Sequence, residues 1–199
     1  MITPRPAVFL DRDGTLNVER SILTKPQEMQ LLPSVADALH LLKSAGFACV
    51  VVTNQSAVGR GLMTEGDLQR IHEEMNRRLA DAGVVLDGIY SCIVAPSMDD
   101  KLAVDHPDRK PAPGLLLRAA ADLYLDLKKS WMIGDSLRDI LAGQNAGCRG
   151  CILVRTGHAI DESHGALAKP FVVVDDLLAA AKHILQASPG EQDSNSAEH

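Results

Sequence analysis

Residues 8–17 read VFLDRDGTLN. Val8-Phe9-Leu10 is a short apolar run, and it stops abruptly at Asp11-Arg12-Asp13-Gly14-Thr15. Two carboxylates two residues apart, with a glycine behind them, fit an ordinary surface turn. They equally fit a site that holds a metal and attacks an electron-poor centre. The rest of the chain separates these readings, because ligands of open α/β sheets bind beyond the carboxyl ends of the strands.

Outward from this stretch, apolar runs recur at Ala7–Asp11, Ala48–Thr53, Gly88–Val94, Trp131–Gly134, Cys151–Val154 and Phe171–Val174. Most are nearly continuous, as strands buried on both faces of a parallel sheet should be. Helical patterns lie between them. One is capped by Ser34 and ends at Gly46. A longer one is capped by Thr64, with Asp67 three residues on, and ends before Gly83. Others open at Pro113-Gly114, at Asp135-Ser136 and near Asp175. Alternating strands and helices predict an α/β, doubly wound, three-layer Rossmann-like parallel sheet over residues 1–186 as a single domain. Residues 187–199, ASPGEQDSNSAEH, carry no large apolar side chain and are expected to be a disordered tail. Two long connections, Asn17–Leu32 and Ala95–Pro113, interrupt the rhythm, and long loops in compact domains commonly carry function.

Composition narrows the classes. The 199 residues are 46% hydrophobic with a formal net charge of −6, and the pI is about 5.6. That balance argues against general nucleic-acid binding, which usually shows a basic stripe. No apolar run approaches the ~20 residues of a membrane span, and no signal-peptide pattern opens the chain. The cysteines at 49, 92, 148 and 151 do not resemble a disulfide scaffold, so a cytoplasmic protein with reduced thiols is expected. Cys148-Arg149-Gly150-Cys151 lies too late in the chain for a thioredoxin-like motif. His40, His72 and His183 fall on helical segments, as surface or core-edge residues.

Four strand ends carry polar chemistry. Asp11 and Asp13 follow the first, and Thr53-Asn54-Gln55-Ser56 closes the second. Arg109-Lys110-Pro111 precedes a helix start, and Gly134-Asp135-Ser136-Leu137-Arg138-Asp139 follows the fourth strand. Separately these are a turn, a cap, a solvated basic pair and an N-terminal helix acid. Together they make one machine. Asp11 can attack phosphorus as a nucleophile, and Asp13 can donate a proton to the leaving group and then activate water. Thr53 and Lys110 can hold the phosphoryl oxygens as charge shifts. Asp135 can complete an oxygen-rich Mg²⁺ site, and such a cation would let an anionic nucleophile approach an anionic phosphate. The expected partner is a small phosphorylated substrate.

These residues resemble the haloacid dehalogenase (HAD) superfamily of aspartyl-phosphate phosphatases. DRDGT is similar to its first motif, Thr53 to its second, Lys110 to its third and GDSLRD to its fourth. FLDRDGTLN, TNQSAVGRGLMTE, LDGIYSC, RKPAPG, MIGDSLRDI and LVRTG, spread over residues 7–157, resemble more closely the family of D-glycero-D-manno-heptose 1,7-bisphosphate 7-phosphatases and related histidinol-phosphate phosphatases. The resemblance implies a HAD-like fold, with Mg²⁺ held by Asp11, Asp135 and the backbone carbonyl of Asp13. It also implies a substrate lined by Asn17 to Arg20 and by Thr53, Asn54, Gln55 and Ser56. Arg109 is expected to read a second phosphate, and Arg60 to contact an anion. The gap between the first two motifs is too short for a large cap domain.

The chain departs from that pattern where the family carries a zinc loop. The first ligand pair is reduced to Cys92-Ile93-Val94, and the second reads His106-Pro107-Asp108. Cys92, His106 and Asp108 are three candidate ligands where a structural site normally has four, so zinc is not expected. Pro96, Pro107 and packing are expected to hold the loop. Ser136 stands where these phosphatases often have lysine. The leading expectation is a Mg²⁺-dependent phosphatase for heptose bisphosphate, with histidinol phosphate or other sugar phosphates next. A phosphotransferase and a non-catalytic binding protein are the competing classes.

Overall fold

The computed structural model describes residues 3–100, 102–157, 168 and 171–187. The tail expected over 187–199 therefore lies outside the described residues, except for Ala187. The strands are β1 (Ala7–Leu10), β2 (Ala48–Asn54), β3 (Gly88–Cys92), β4 (Trp131–Gly134), β5 (Gly150–Val154) and β6 (Val172–Val174). They form one sheet in the order β3-β2-β1-β4-β5-β6, and every neighbouring pair is parallel. The helices are α1 (Val35–Ser44), a single turn α2 (Ser56–Gly59), α3 (Glu65–Asp81), α4 (Gly114–Asp122), α5 (Leu137–Ala146) and α6 (Leu177–Ala187).

Side chains alternate across the pleat, so β1 feeds two cores. Val8 and Leu10 pack with Cys49 and Val51 of β2 and with the apolar faces of α1, α3 and α6. Ala7 and Phe9 pack with Val50 and Val52 and with α4 and α5 on the opposite face. This is the three-layer sandwich expected from the sequence. Strand order reverses between β1 and β4, because the chain runs from β1 out to β3 and then crosses back. A reversal of that kind opens a crevice at the carboxyl edge of the sheet.

Local chemistry sets the helix starts. Thr64 accepts the Asp67 N–H at 3.1 Å, and the Asp67 carboxylate accepts the Thr64 N–H at 2.8 Å, which closes a capping box. Asp139 accepts from the N–H and the hydroxyl of Ser136 at 3.1 and 2.7 Å, fixing the start of α5. Ser34 behaves differently from expectation. It sits in the left-handed region at φ 60°, and its hydroxyl makes no cap hydrogen bond. The Asn17–Leu32 connection is ordered by backbone bonds rather than by an apolar pattern. Val18 N–H donates to Gln30 and Leu32 N–H to Leu16, both at 2.9 Å.

Candidate active site

Asp11 follows β1 directly, Thr53 and Asn54 close β2, and Asp135 follows β4, so the three central strands deliver their polar ends to one crevice. The crevice is a cleft of about 690 Å³. Asp11, Asp13 and Lys110 line its floor with Thr53 and Asp135. Residues 19–23 and residues 96–100, 103 and 105 also line the cleft.

Lys110 organises the floor. Its ammonium lies 2.8 Å from Asp11 Oδ1 and 2.6 Å from Asp139 Oδ1, and it donates to the Val52 carbonyl at 2.8 Å. Its three donors are thus in use. The side-chain amide of Asn54 clamps the Lys110 backbone, donating to its carbonyl at 3.0 Å and accepting its N–H at 3.1 Å. Burial pushes the Asp11 carboxyl up to about 7, helped by Asp139 and Asp135 and opposed by Lys110. Burial also disfavours charge on Lys110, but the paired acids outweigh it and hold its pKa above the ordinary value.

Asp11, Asp135 and Asp139 place one carboxylate oxygen each within 4.8 Å of one another. Such a set of hard oxygens suits Mg²⁺. The backbone makes room for it. A Cβ on Gly14, whose φ is +74°, would come 2.5 Å from Asp135 Oδ2, and one on Gly157 would collide with the same carboxyl group.

Asp13 sits in a cage of donors. Arg12 binds it in a fork, with Nη2 2.8 Å from Oδ2 and Nε 3.2 Å from both oxygens. Asn17 and Gln55 each donate to it at 2.9 Å. Burial would raise its pKa, but the Arg12 charge and the hydrogen bonds from Arg12, Asn17 and Gln55 hold it below the usual carboxylate range. Gln55 Nε2 also donates to Thr53 Oγ1 at 2.9 Å, which leaves the threonine O–H free to donate into the cleft.

The sequence-derived substrate residues separate into two groups. Arg20, Asn54, Gln55, Ser56, Arg60 and Arg109 line the cleft. Asn17 does not: it is fully buried and spends its amide on Asp13 and on the Val18 carbonyl. Arg109 is largely buried, and one of its arms donates to the Val94 carbonyl at 3.0 Å. Burial lowers its pKa, Asp105 opposes the shift, and Arg138 and Arg60 add to it. All three arginines line the cleft.

The proposed zinc remnant does not gather. Cys92 Sγ lies 4.0 Å from His106 Nδ1, but that nitrogen accepts the Asp108 N–H at 3.1 Å, and the Asp108 carboxylate pairs with Arg118 at 2.9 Å. Among the described residues, the one group of three metal-binding side chains with ligand atoms this close is Asp11, Asp135 and Asp139. Prolines and packing are not all that ties the loop. Asp105 accepts the Ser97 N–H at 2.8 Å and faces Arg109 Nε at 3.8 Å.

Sequence reasoning missed Arg12, His72, Arg138 and the part played by Asp139. Asp139 was visible only as a first-turn helix acid. Arg12 and His72 meet across 60 positions of sequence, a contact that no local pattern announces.

A parallel sheet with acids at the β1 and β4 ends, a β2 threonine and a buried lysine defines the class of HAD-like phosphatases, which are phosphoric monoester hydrolases. A family model described as "HAD-hyrolase-like" matches residues 108–180. The D-glycero-beta-D-manno-heptose-1,7-bisphosphate 7-phosphatase of Escherichia coli (strain K12) is 44% identical over 157 residues, covering 78% of this chain and 82% of its own. The corresponding phosphatase of Thermosynechococcus vestitus is 39% identical over 189 residues, covering 91% and 96%. The crystal structure of a D,D-heptose 1,7-bisphosphate phosphatase from B. bronchiseptica, complexed with magnesium and phosphate, superposes with a TM-score of 0.79 at 35% identity, covering 92% and 99%. The chain belongs to the D-glycero-D-manno-heptose 1,7-bisphosphate 7-phosphatase family.

Proposed function

We propose that this protein removes the 7-phosphate of D-glycero-D-manno-heptose 1,7-bisphosphate through an aspartyl-phosphate on Asp11, with Mg²⁺ as cofactor and in the cytoplasm. One observation carries the reading: the Asp11–Lys110–Asp139 cluster forms the floor of a cleft whose walls hold Arg20, Arg60, Arg109 and Arg138. A substrate with one phosphate at the floor and another at the wall matches that charge layout. The names of the relatives supply the sugar and the position.

In this reading Asp13, ionised within its cage of donors, first takes a proton from solvent as the anionic phosphate binds beside it. Asp11 then attacks phosphorus, and the bond to the sugar oxygen breaks as Asp13 delivers that proton to the oxygen. Asp13, now ionised, takes a proton from water. The water oxygen attacks the same phosphorus, freeing inorganic phosphate and restoring Asp11. Thr53 donates its O–H to a phosphoryl oxygen, while Lys110 balances the charge on Asp11 as it changes. Asp11, Asp135 and the Asp13 carbonyl would hold Mg²⁺, which neutralises phosphate charge when bound. The four cysteines are free thiols, in keeping with a reducing compartment.

The test is phosphate release from heptose bisphosphate, histidinol phosphate and small sugar monophosphates by wild type and Asp11→Asn. Heptose bisphosphate should give the highest kcat/KM, and Asp11→Asn should be inactive yet folded. A preference for histidinol phosphate would reassign the substrate. Turnover by Asp11→Asn would remove the nucleophile assignment.

A further inference from the structure

Among the described residues, Arg12 is the largest side chain that the fold buries almost completely, with 1% of its surface exposed. A guanidinium is seldom buried without a specific task, because taking its charge out of water costs several kcal/mol unless every donor is matched. Here the donors are matched asymmetrically. Nε and Nη2 fork onto the Asp13 carboxylate. Nη2 also donates to Gln55 Oε1 at 3.0 Å, and Nη1 lies 3.3 Å from Nε2 of His72 on α3. His72 is itself buried. Since Nη1 can only donate, Nε2 of His72 must accept, so the ring is neutral and carries its proton on Nδ1. Gln55 turns its other end back, donating to Asp13 and to Thr53. The result is a closed frame. α3 and the segment after β2 hold Arg12, and Arg12 together with Gln55 holds Asp13 at the cleft.

We propose that Arg12, braced by His72, is a positioning residue that fixes the Asp13 carboxyl group for its proton transfers. This rests on the reading of Asp13 as general acid and base. Arg12 acts through Asp13 and Gln55, and its own donors face those partners and His72.

A readout that a merely structural role would not move is the dependence on the leaving group. kcat/KM covers only the steps through departure of the first product. A sugar alkoxide leaves poorly without a proton, whereas 4-nitrophenolate leaves readily without one. Loss of general-acid positioning should therefore lower kcat/KM for a sugar phosphate on the order of tenfold to hundredfold, and leave 4-nitrophenyl phosphate nearly unaffected.

The experiment compares kcat/KM for heptose bisphosphate and for 4-nitrophenyl phosphate in Arg12→Lys, His72→Leu, His72→Gln and Asp13→Asn. His72→Leu lies outside the cleft and removes only the brace, so it tests the idea even where Arg12→Lys does not fold. The expected result is a loss for the sugar phosphate in Arg12→Lys and, more weakly, in His72→Leu. His72→Gln restores an acceptor and should recover much of the loss. A selective loss in Asp13→Asn that neither His72→Leu nor a folded Arg12→Lys shares would overturn the role of Arg12 while leaving that of Asp13 standing. No selective loss in Asp13→Asn would overturn both. Equal losses for the two substrates in His72→Leu would mark the frame as structural only.

Discussion

Arg109 and Lys110 are neighbours in sequence with different surroundings. Lys110 is locked between Asp11, Asp139 and the Val52 carbonyl. Arg109 keeps one arm on the Val94 carbonyl and faces the cleft wall. Lys110→Ala should therefore reduce turnover of every substrate, and should destabilise the fold by about 3–5 kcal/mol because it strands two buried acids. Under the proposed function, Arg109→Ala would remove a charged hydrogen bond to the distal phosphate, worth about 1.5–3 kcal/mol. That corresponds to a loss of roughly tenfold to hundredfold in kcat/KM for a bisphosphate. A small monophosphate on the same preparation should change far less; equal losses would remove the distal-phosphate role. The cationic pair was legible in the sequence as charge before a helix start, next to proline, whereas the distal role of Arg109 came from the family resemblance and not from the local pattern. Asn17 was legible only as a polar residue near the motif. That it faces inward to Asp13 depends on the fold of the following segment.

At the scale of elements, Asp87, just before β3, ties three pieces together. Its carboxylate accepts from Arg5 at 2.6 Å, from Lys43 of α1 at 2.8 Å and from the Cys49 N–H of β2 at 2.9 Å. Burial would raise its pKa, but Lys43, the Cys49 N–H and Arg5 hold it below the usual range. A depressed carboxylate contributes stability that is present above the unfolded pKa of about 3.9 and is lost as pH falls through the folded value. Asp87→Asn should lower Tm at neutral pH by several degrees, about 2–4 °C per kcal/mol for a chain of this size. The gap to wild type should close in acid. A gap that widens in acid would contradict the ion-pair account. The strands were readable because β1, β2, β4 and β5 are continuous apolar runs. The tie through Asp87 was not, since its partners lie 38 to 82 positions away. Nor was the left-handed Ser34, because a serine before a helix reads as a cap whatever its backbone angle.

For the molecule as a whole, the sheet reversal beside β1 concentrates acid oxygens in one place, and this links metal, proton and stability. With the Asp11 carboxyl raised to about 7, Asp11 in the folded, metal-free protein holds a proton that the unfolded chain has lost between about pH 4 and 7, while burial lowers His72 to about 4, so that folding strips this ring of its proton over the lower part of the same range. The two nearly cancel below about pH 6.5, so metal-free stability should fall as pH rises from there through about 7, and through the whole window in His72→Leu. Mg²⁺ should counter the fall by binding the carboxylates and releasing a proton. Titration calorimetry in buffers of different ionisation enthalpy should show proton release near pH 7, with apparent Mg²⁺ affinity weakening below it. Proton uptake on binding would contradict the assignment of Asp11 to the metal site. EDTA should abolish turnover and Mg²⁺ restore it.

The central claim is that Asp11 meets one phosphate of a bisphosphate at the floor while the arginine wall keeps the other. Phosphorus NMR of heptose 1,7-bisphosphate during turnover tests it directly. The account predicts that the 7-phosphate resonance gives way to inorganic phosphate while the anomeric 1-phosphate persists. Loss of the 1-phosphate first, or of both at equal rates, would contradict it.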